Sequence, residues 1–136
     1  MKKIIILQLL FMGIFGWSQA KAKKTFEINT NYNTKTNAIY LRLKDVFDDS
    51  RCPENTQCIW AGEVSVCIEV FKNRQLIEEK ILIINSQNQA ENCRWFEQFN
   101  VLKKNKKIRS FAVSPIPKAT ENQTERPAKK VVLTFE

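Results

Sequence analysis

Beyond residue 20 the chain alternates between apolar and polar side chains in a series of short runs, the period of a half-buried β-strand. Phe26, Ile28, Thr30 and Tyr32 share one parity; Ile39, Leu41 and Leu43 share another, with Arg42 and Lys44 between them. Val64, Val66, Ile68 and Val70 alternate with Ser65, Cys67, Glu69 and Phe71, which sets Cys67 on the face opposite the valines. The turn-prone "KNRQ" leads on into "QLIEEKILII" (75–84), so a hairpin is predicted here. Two further strands are predicted at "IRSFAV" (108–113) and "KKVVLTF" (129–135), on either side of a long loop bounded by Pro115, Pro117 and Pro127. Residues 88–100 fit two templates: Cys93, Trp95 and Phe99 match strand parity, whereas Cys93 and Phe96 behind Asn88 as an N-cap match a short helix.

Six or more short strands without a long amphipathic helix predict an all-β chain, an antiparallel β-sandwich of immunoglobulin-like type or a partly open barrel. The first twenty residues, "MKKIIILQLLFMGIFGWSQA", break the pattern. Lys2 and Lys3 precede a run from Ile4 to Trp17 that is apolar except for Gln8, and Ser18 and Ala20 supply small residues at the −3 and −1 positions of a cleavage site. Residues 1–20 are thus predicted to be a signal peptide, leaving residues 21–136 as a single disulfide-stapled β domain. The apolar run falls short of the roughly 18 residues a spanning helix needs, so no membrane span is expected after cleavage. The expected location is exported, either secreted or periplasmic.

The 136 residues carry 22 lysines and arginines against 14 acidic residues, a net charge of +8. Loss of Lys2 and Lys3 with the leader would reduce this to +6. The lysine clusters "KAKK" (21–24) and "KKNKK" (103–107) are not interleaved with aromatic residues or glycines, which marks solvated turns rather than a nucleic-acid track. No nucleic-acid partner is expected; the partner class that remains is a protein or another envelope component.

All four cysteines, Cys52, Cys58, Cys67 and Cys93, lie beyond the leader, and an even count in an exported domain reads as two disulfides. Loop-closure entropy does not choose among the three pairings. Local geometry favours Cys52 with Cys58, because the polar insert Pro53 to Gln57 turns easily; Cys67 with Cys93 follows by elimination. The cysteine spacing does not fit a zinc site and histidine is absent, so neither a metal nor a cofactor is expected. A thioredoxin-like pair would need C-x-x-C, which the sequence lacks.

Chemistry concentrates in "DSRCPENTQCIWAGE" (49–63). As structure, Arg51 would pair with Asp48 or Asp49, Trp60 would cap one open end of the sandwich, and Gly62 would supply a positive φ or a bulge at the entry to the next strand. As function, the same stretch would be a rigid recognition loop presenting Asp49, Ser50, Arg51 and Trp60, the device of some protease inhibitors. Catalysis finds no support. Ser50 has neither a histidine nor an S-x-x-K lysine to activate it, and Asp48, Asp49 and Glu54 do not follow a calcium-loop spacing. Glu63 and Glu69 fall on one strand, so a carboxylate pair would need an unidentified second member.

"DSRCPENTQCIWAGE", followed by "VSPIP" and "VVLTFE", resembles a family of small exported bacterial proteins carrying D-S-R-C-P, a few variable residues and C-[IV]-W-A-G. The resemblance runs over about residues 37 to 136 and is specific only in 49 to 63. It implies a Cys52–Cys58 disulfide, implies no activity, and does not extend to Cys67 or Cys93. The expected function is a non-enzymatic binding module acting through its loops, the alternative an inhibitor of exported hydrolases presenting the Cys52–Cys58 loop.

Overall fold

The computed structural model describes residues 23–31, 38–99, 106–119 and 127–135. Among these residues the strands are β1 (Lys24–Ile28), β2 (Tyr40–Phe47), β3 (Val64–Lys72), β4 (Gln75–Ile84), β5 (Ile108–Ser114) and β6 (Lys130–Phe135), and the helix is α1 (Gln89–Glu97), between β4 and β5. They form two antiparallel three-stranded sheets, ordered β1-β6-β5 and β2-β3-β4, and no closed barrel. The chain is all-β, as the alternation predicts. The signal-peptide expectation and Tyr32 lie outside the described residues.

The β3–β4 hairpin closes through Asn73 and Arg74 at φ 52° and 66°. Two successive left-handed residues make a turn whose twist matches that of the strands it joins, and asparagine tolerates this conformation well. From β3, Val64, Val66, Ile68 and Val70 project between the sheets and are fully buried. Leu41 and Leu43 flank them on β2, and Leu82 and Ile84 on β4. The opposing sheet contributes Ile28, Ile108, Phe111, Val113, Val131 and Leu133 to the same core. Each of these large side chains contributes roughly 1.5–3 kcal/mol of transfer free energy, and together they hold the sheets face to face.

The other face of β3 is buried as well, which the half-buried pattern does not predict: Ser65, Cys67, Glu69 and Phe71 are each less than 10 % exposed. A central strand between two partners is covered from both sides by their longer side chains. Arg42 on β2 reaches across to Glu69, Nε to Oε2 at 2.6 Å, so the buried carboxylate has its counter-charge. Lys44 pairs with Glu79 at 2.8 Å, and the Cys67 thiol donates to the same Glu79 carboxylate at 3.5 Å.

Residues 89–97 resolve as the helix. Asn85 Oδ1 accepts from the amides of Gln87 and Asn88, a side-chain turn that starts α1. Asn88 does occupy the N-cap position, but its side chain makes no capping bond. The helix buries Asn92, Cys93, Trp95 and Phe96, and the Phe96 ring lies 5.6 Å from that of Phe111. Asn92 Nδ2 donates to the Ile83 carbonyl and Trp95 Nε1 to Glu78, which ties the helix along β4. Among the described residues no helix is long and apolar enough to cross a membrane.

This arrangement overturns the second predicted disulfide. Cys67 and Cys93 are both free, buried thiols. Cys93 belongs to the core between the sheets, whereas Cys67 lies on the outer face of β3, so the β2-β3-β4 sheet itself stands between them. The parity that sets Cys67 opposite the valines already excludes the pairing reached by elimination. Protein unfolded without reductant is therefore expected to take up two alkylating labels per chain, measured as intact mass; no uptake would show both thiols oxidised.

Candidate functional site

At the end of β2 the chain leaves the sheet at Asp48, whose φ of 51° turns it sharply. Residues 50–52 then run antiparallel to residues 61–63 as a two-stranded stem. The Ser50 amide donates to the Glu63 carbonyl at 2.8 Å and the Cys52 amide to the Ala61 carbonyl at 3.1 Å. The Ser50 hydroxyl doubles the clamp, donating to the Glu63 carbonyl and accepting from the Glu63 amide. Ser50 is thereby committed to backbone.

Gly62 makes the close approach possible. Its φ is +71°, and a Cβ there would lie 2.0 Å from the Ser50 carbonyl oxygen. The positive φ expected of this glycine is present, and the space around it demands glycine independently. Above the stem, Cys52 and Cys58 are joined, with Cα atoms 5.9 Å apart, which bears out the pairing of this short loop. On the loop's flank the Glu54 amide donates to the Pro117 carbonyl at 2.8 Å, and Glu54 forms a parallel bridge with Lys118.

Arg51 points inward. Its Nε and Nη2 donate to the two oxygens of Asp49, both at 2.8 Å, while Nη1 and Nη2 also donate to the carbonyls of Val113 and Pro115. Lys129 adds a second cation to Asp49 at 2.7 Å. The partner is Asp49 of the two candidates, and the network ties the loop to the end of β5 and the start of β6. Burial alone would raise the Asp49 pKa, but hydrogen bonds from Arg51 and Lys129 outweigh it and hold the carboxyl well below the usual carboxylate range. With its guanidinium consumed in this way, Arg51 is not the residue the loop presents.

Trp60 behaves in the opposite way from expectation. It is 65 % exposed and Ile59 fully exposed, so the tryptophan caps no end of the sandwich. The stem holds residues 50–52 and 61–63 against each other and projects the span between them outward. Hydrophobicity argues for burial, but the stem decides direction. The missed signal is the pair Ile59-Trp60 itself, adjacent apolar residues between a half-cystine and Gly62 with no alternation to put either one inside.

The free thiols offer little chemistry. Burial pushes the Cys67 thiol up in pKa, and its bond to Glu79 pushes it further; burial, then Glu97, does the same to Cys93. Both stay protonated near neutrality. Glu63 accepts from Asn85 Nδ2 at 3.0 Å and Glu69 is paired with Arg42, so these carboxylates are held by separate structural partners. Among the described residues no group of three or more cysteine and carboxylate side chains is placed to hold a metal.

No protein-family model, curated protein or solved structure matches this chain. What distinguishes the loop is therefore its own geometry: a clamped, bridged stem carrying two exposed apolar residues. The disulfide closes a short loop, so replacing both Cys52 and Cys58 with serine is expected to cost about 2 kcal/mol in denaturant melts. A change no larger than ordinary surface noise, about 0.5 kcal/mol, would show that the stem holds without it.

Proposed function

We propose that the protein is an exported, non-enzymatic β-sandwich module that recognises its partner through Ile59 and Trp60 at the tip of the disulfide-closed loop. The observation that carries this reading is the exposure of both residues on a backbone fixed by the Ser50–Glu63 clamp, the bridge and Gly62. A tryptophan held out in a fixed position loses little conformational entropy on binding and offers a large contact area, the properties of an interface anchor. The Cys52–Cys58 bridge is in keeping with an oxidising, exported setting, as is the resemblance to the exported D-S-R-C-P family. An inhibitor that presents Arg51 to a trypsin-like enzyme is disfavoured, because that side chain is tied to Asp49 and two carbonyls.

Replacing Trp60 with alanine tests the reading. Stability is expected to stay within about 0.5 kcal/mol of wild type, the range for a surface position. Retention of solubilised envelope proteins, added copies of this chain among them, on the immobilised variant is expected to fall. A loss of about 2 kcal/mol or more in stability would make Trp60 a structural residue and end the proposal, as would identical retention by the two proteins.

A further inference from the structure

Charge is segregated along this chain. Between Lys44 and Lys72 there is one basic residue, Arg51, against six acidic ones, Asp45, Asp48, Asp49, Glu54, Glu63 and Glu69. The rest of the chain holds 21 basic and 8 acidic residues. Within the loop, Arg51 is already spent on Asp49, while Asp48 and Glu54 are exposed. The loop that carries the apolar tip thus presents exposed carboxylates while its one base is committed, which suits a cationic surface and repels an anionic lipid one.

Such a surface lies on the same end of the molecule. A concavity of about 110 Å³ is lined by Pro115, Ile116, Pro117 and Pro127 together with Lys118 and the Asp49–Lys129 ion pair. Ile116 and Lys118 are exposed. The bond from the Glu54 amide to the Pro117 carbonyl fixes loop and concavity side by side. An apolar projection on a loop that carries the exposed Glu54 therefore sits beside an apolar hollow that carries the exposed Lys118. Adjacent features of opposite sense on one patch are what a two-fold contact requires, since each copy then offers both halves of the interface.

We infer that the partner of the Ile59-Trp60 tip is a second copy of this chain, bound about a two-fold axis. Trp60 of each copy enters the proline-lined concavity of the other, and Glu54 of each meets Lys118 of the other. This rests on the recognition role given to the tip above. Proline rings and the Ile116 side chain give the indole an apolar seat, and the crossed carboxylate–ammonium pairs set the register.

Sedimentation equilibrium of the domain from residue 21 onward, from micromolar to millimolar concentration, tests it. The expected result is a monomer–dimer equilibrium that weakens as salt is added, with Trp60→Ala shifting it at least tenfold towards monomer. Glu54→Lys and Lys118→Glu alone are each expected to be monomeric, because each places two like-charged pairs across the axis. An equimolar mixture of these two variants is expected to recover the dimer, since both crossed pairs become attractive, an outcome that no effect within one chain produces. A wild-type protein that stays monomeric throughout would overturn the second copy as partner. If Trp60→Ala were then as stable as wild type, the tip would keep its recognition role with another partner, whether a basic protein or, if phosphatidylglycerol vesicles retained the wild type, a lipid surface. A dimer indifferent to Trp60→Ala, or unrecovered on mixing, would overturn the proposed contact.

Discussion

Arg51→Ala is expected to cost about 3 kcal/mol of folding stability, a large fraction of what holds a domain of this size together. The substitution removes four hydrogen bonds at once: two to Asp49 and one each to the Val113 and Pro115 carbonyls. Asp49, only 11 % exposed at its side chain, is left with Lys129 as its sole cation among the described residues, and two carbonyls lose a charged donor. The effect also carries a pH signature. Because the carboxyl of Asp49 is depressed in the folded protein, its contribution is complete above the unfolded value near pH 4 and is lost as pH falls through the lower folded value. The wild type should therefore lose stability progressively below roughly pH 4, and the variant, whose Asp49 is less depressed, should lose less over the same range. Chemical denaturation at a series of pH values measures both. Equal stability of the two proteins at neutral pH would show the network to be ornamental.

Gly62→Ala is expected to be of similar size, about 3 kcal/mol, for a different reason. A left-handed backbone is itself costly for alanine, and the added methyl would meet the Ser50 carbonyl oxygen at 2.0 Å and the Arg51 Cα at 2.8 Å. Both obstacles are backbone, so no side chain can swing aside; the stem must open. Thermal melts would report the loss, and hydrogen exchange at the Ser50 and Glu63 amides would locate it. Protection at those two amides equal to that of wild type would contradict the clamp described for the stem.

Where the sequence speaks through a period it speaks clearly, and where contacts join distant segments it is silent. The strand of residues 75–84 is placed as the structure has it, because the turn-prone segment before it folds it back on the alternating strand that ends at Lys72. Residues 88–100 stay divided between strand and helix because Trp95 and Phe96 are consecutive large apolar residues that satisfy either template. The pairing of Cys67 with Cys93 fails because an even count of cysteines says nothing of the face each occupies, and parity sets Cys67 on the outer one. Arg51 is read correctly as the partner of a neighbouring aspartate, since that partner is two residues away. Lys129 is 80 residues from Asp49 and the Pro115 carbonyl 64 residues from Arg51, so no local pattern announces either. Trp60 is misplaced because its direction follows from the pairing of the stem, a tertiary fact, rather than from its hydrophobicity.

The pairing of β1 with β6 has a consequence for the making of the molecule. Lys24 lies opposite Phe135 and Ile28 opposite Val131, so the first strand of the domain finds its partner only in the last. The other sheet is assembled from one continuous stretch between Tyr40 and Ile84 and needs no later strand for its pairing. A chain that emerges N-terminus first thus completes the pairing of this meander early, while β1 waits with an open edge until the C-terminal strand emerges. Throughout that interval the apolar side chains of Phe26 and Ile28 are available to any other extended segment, and it is in this window, before the last strand arrives, that the nascent protein is most exposed to mispairing.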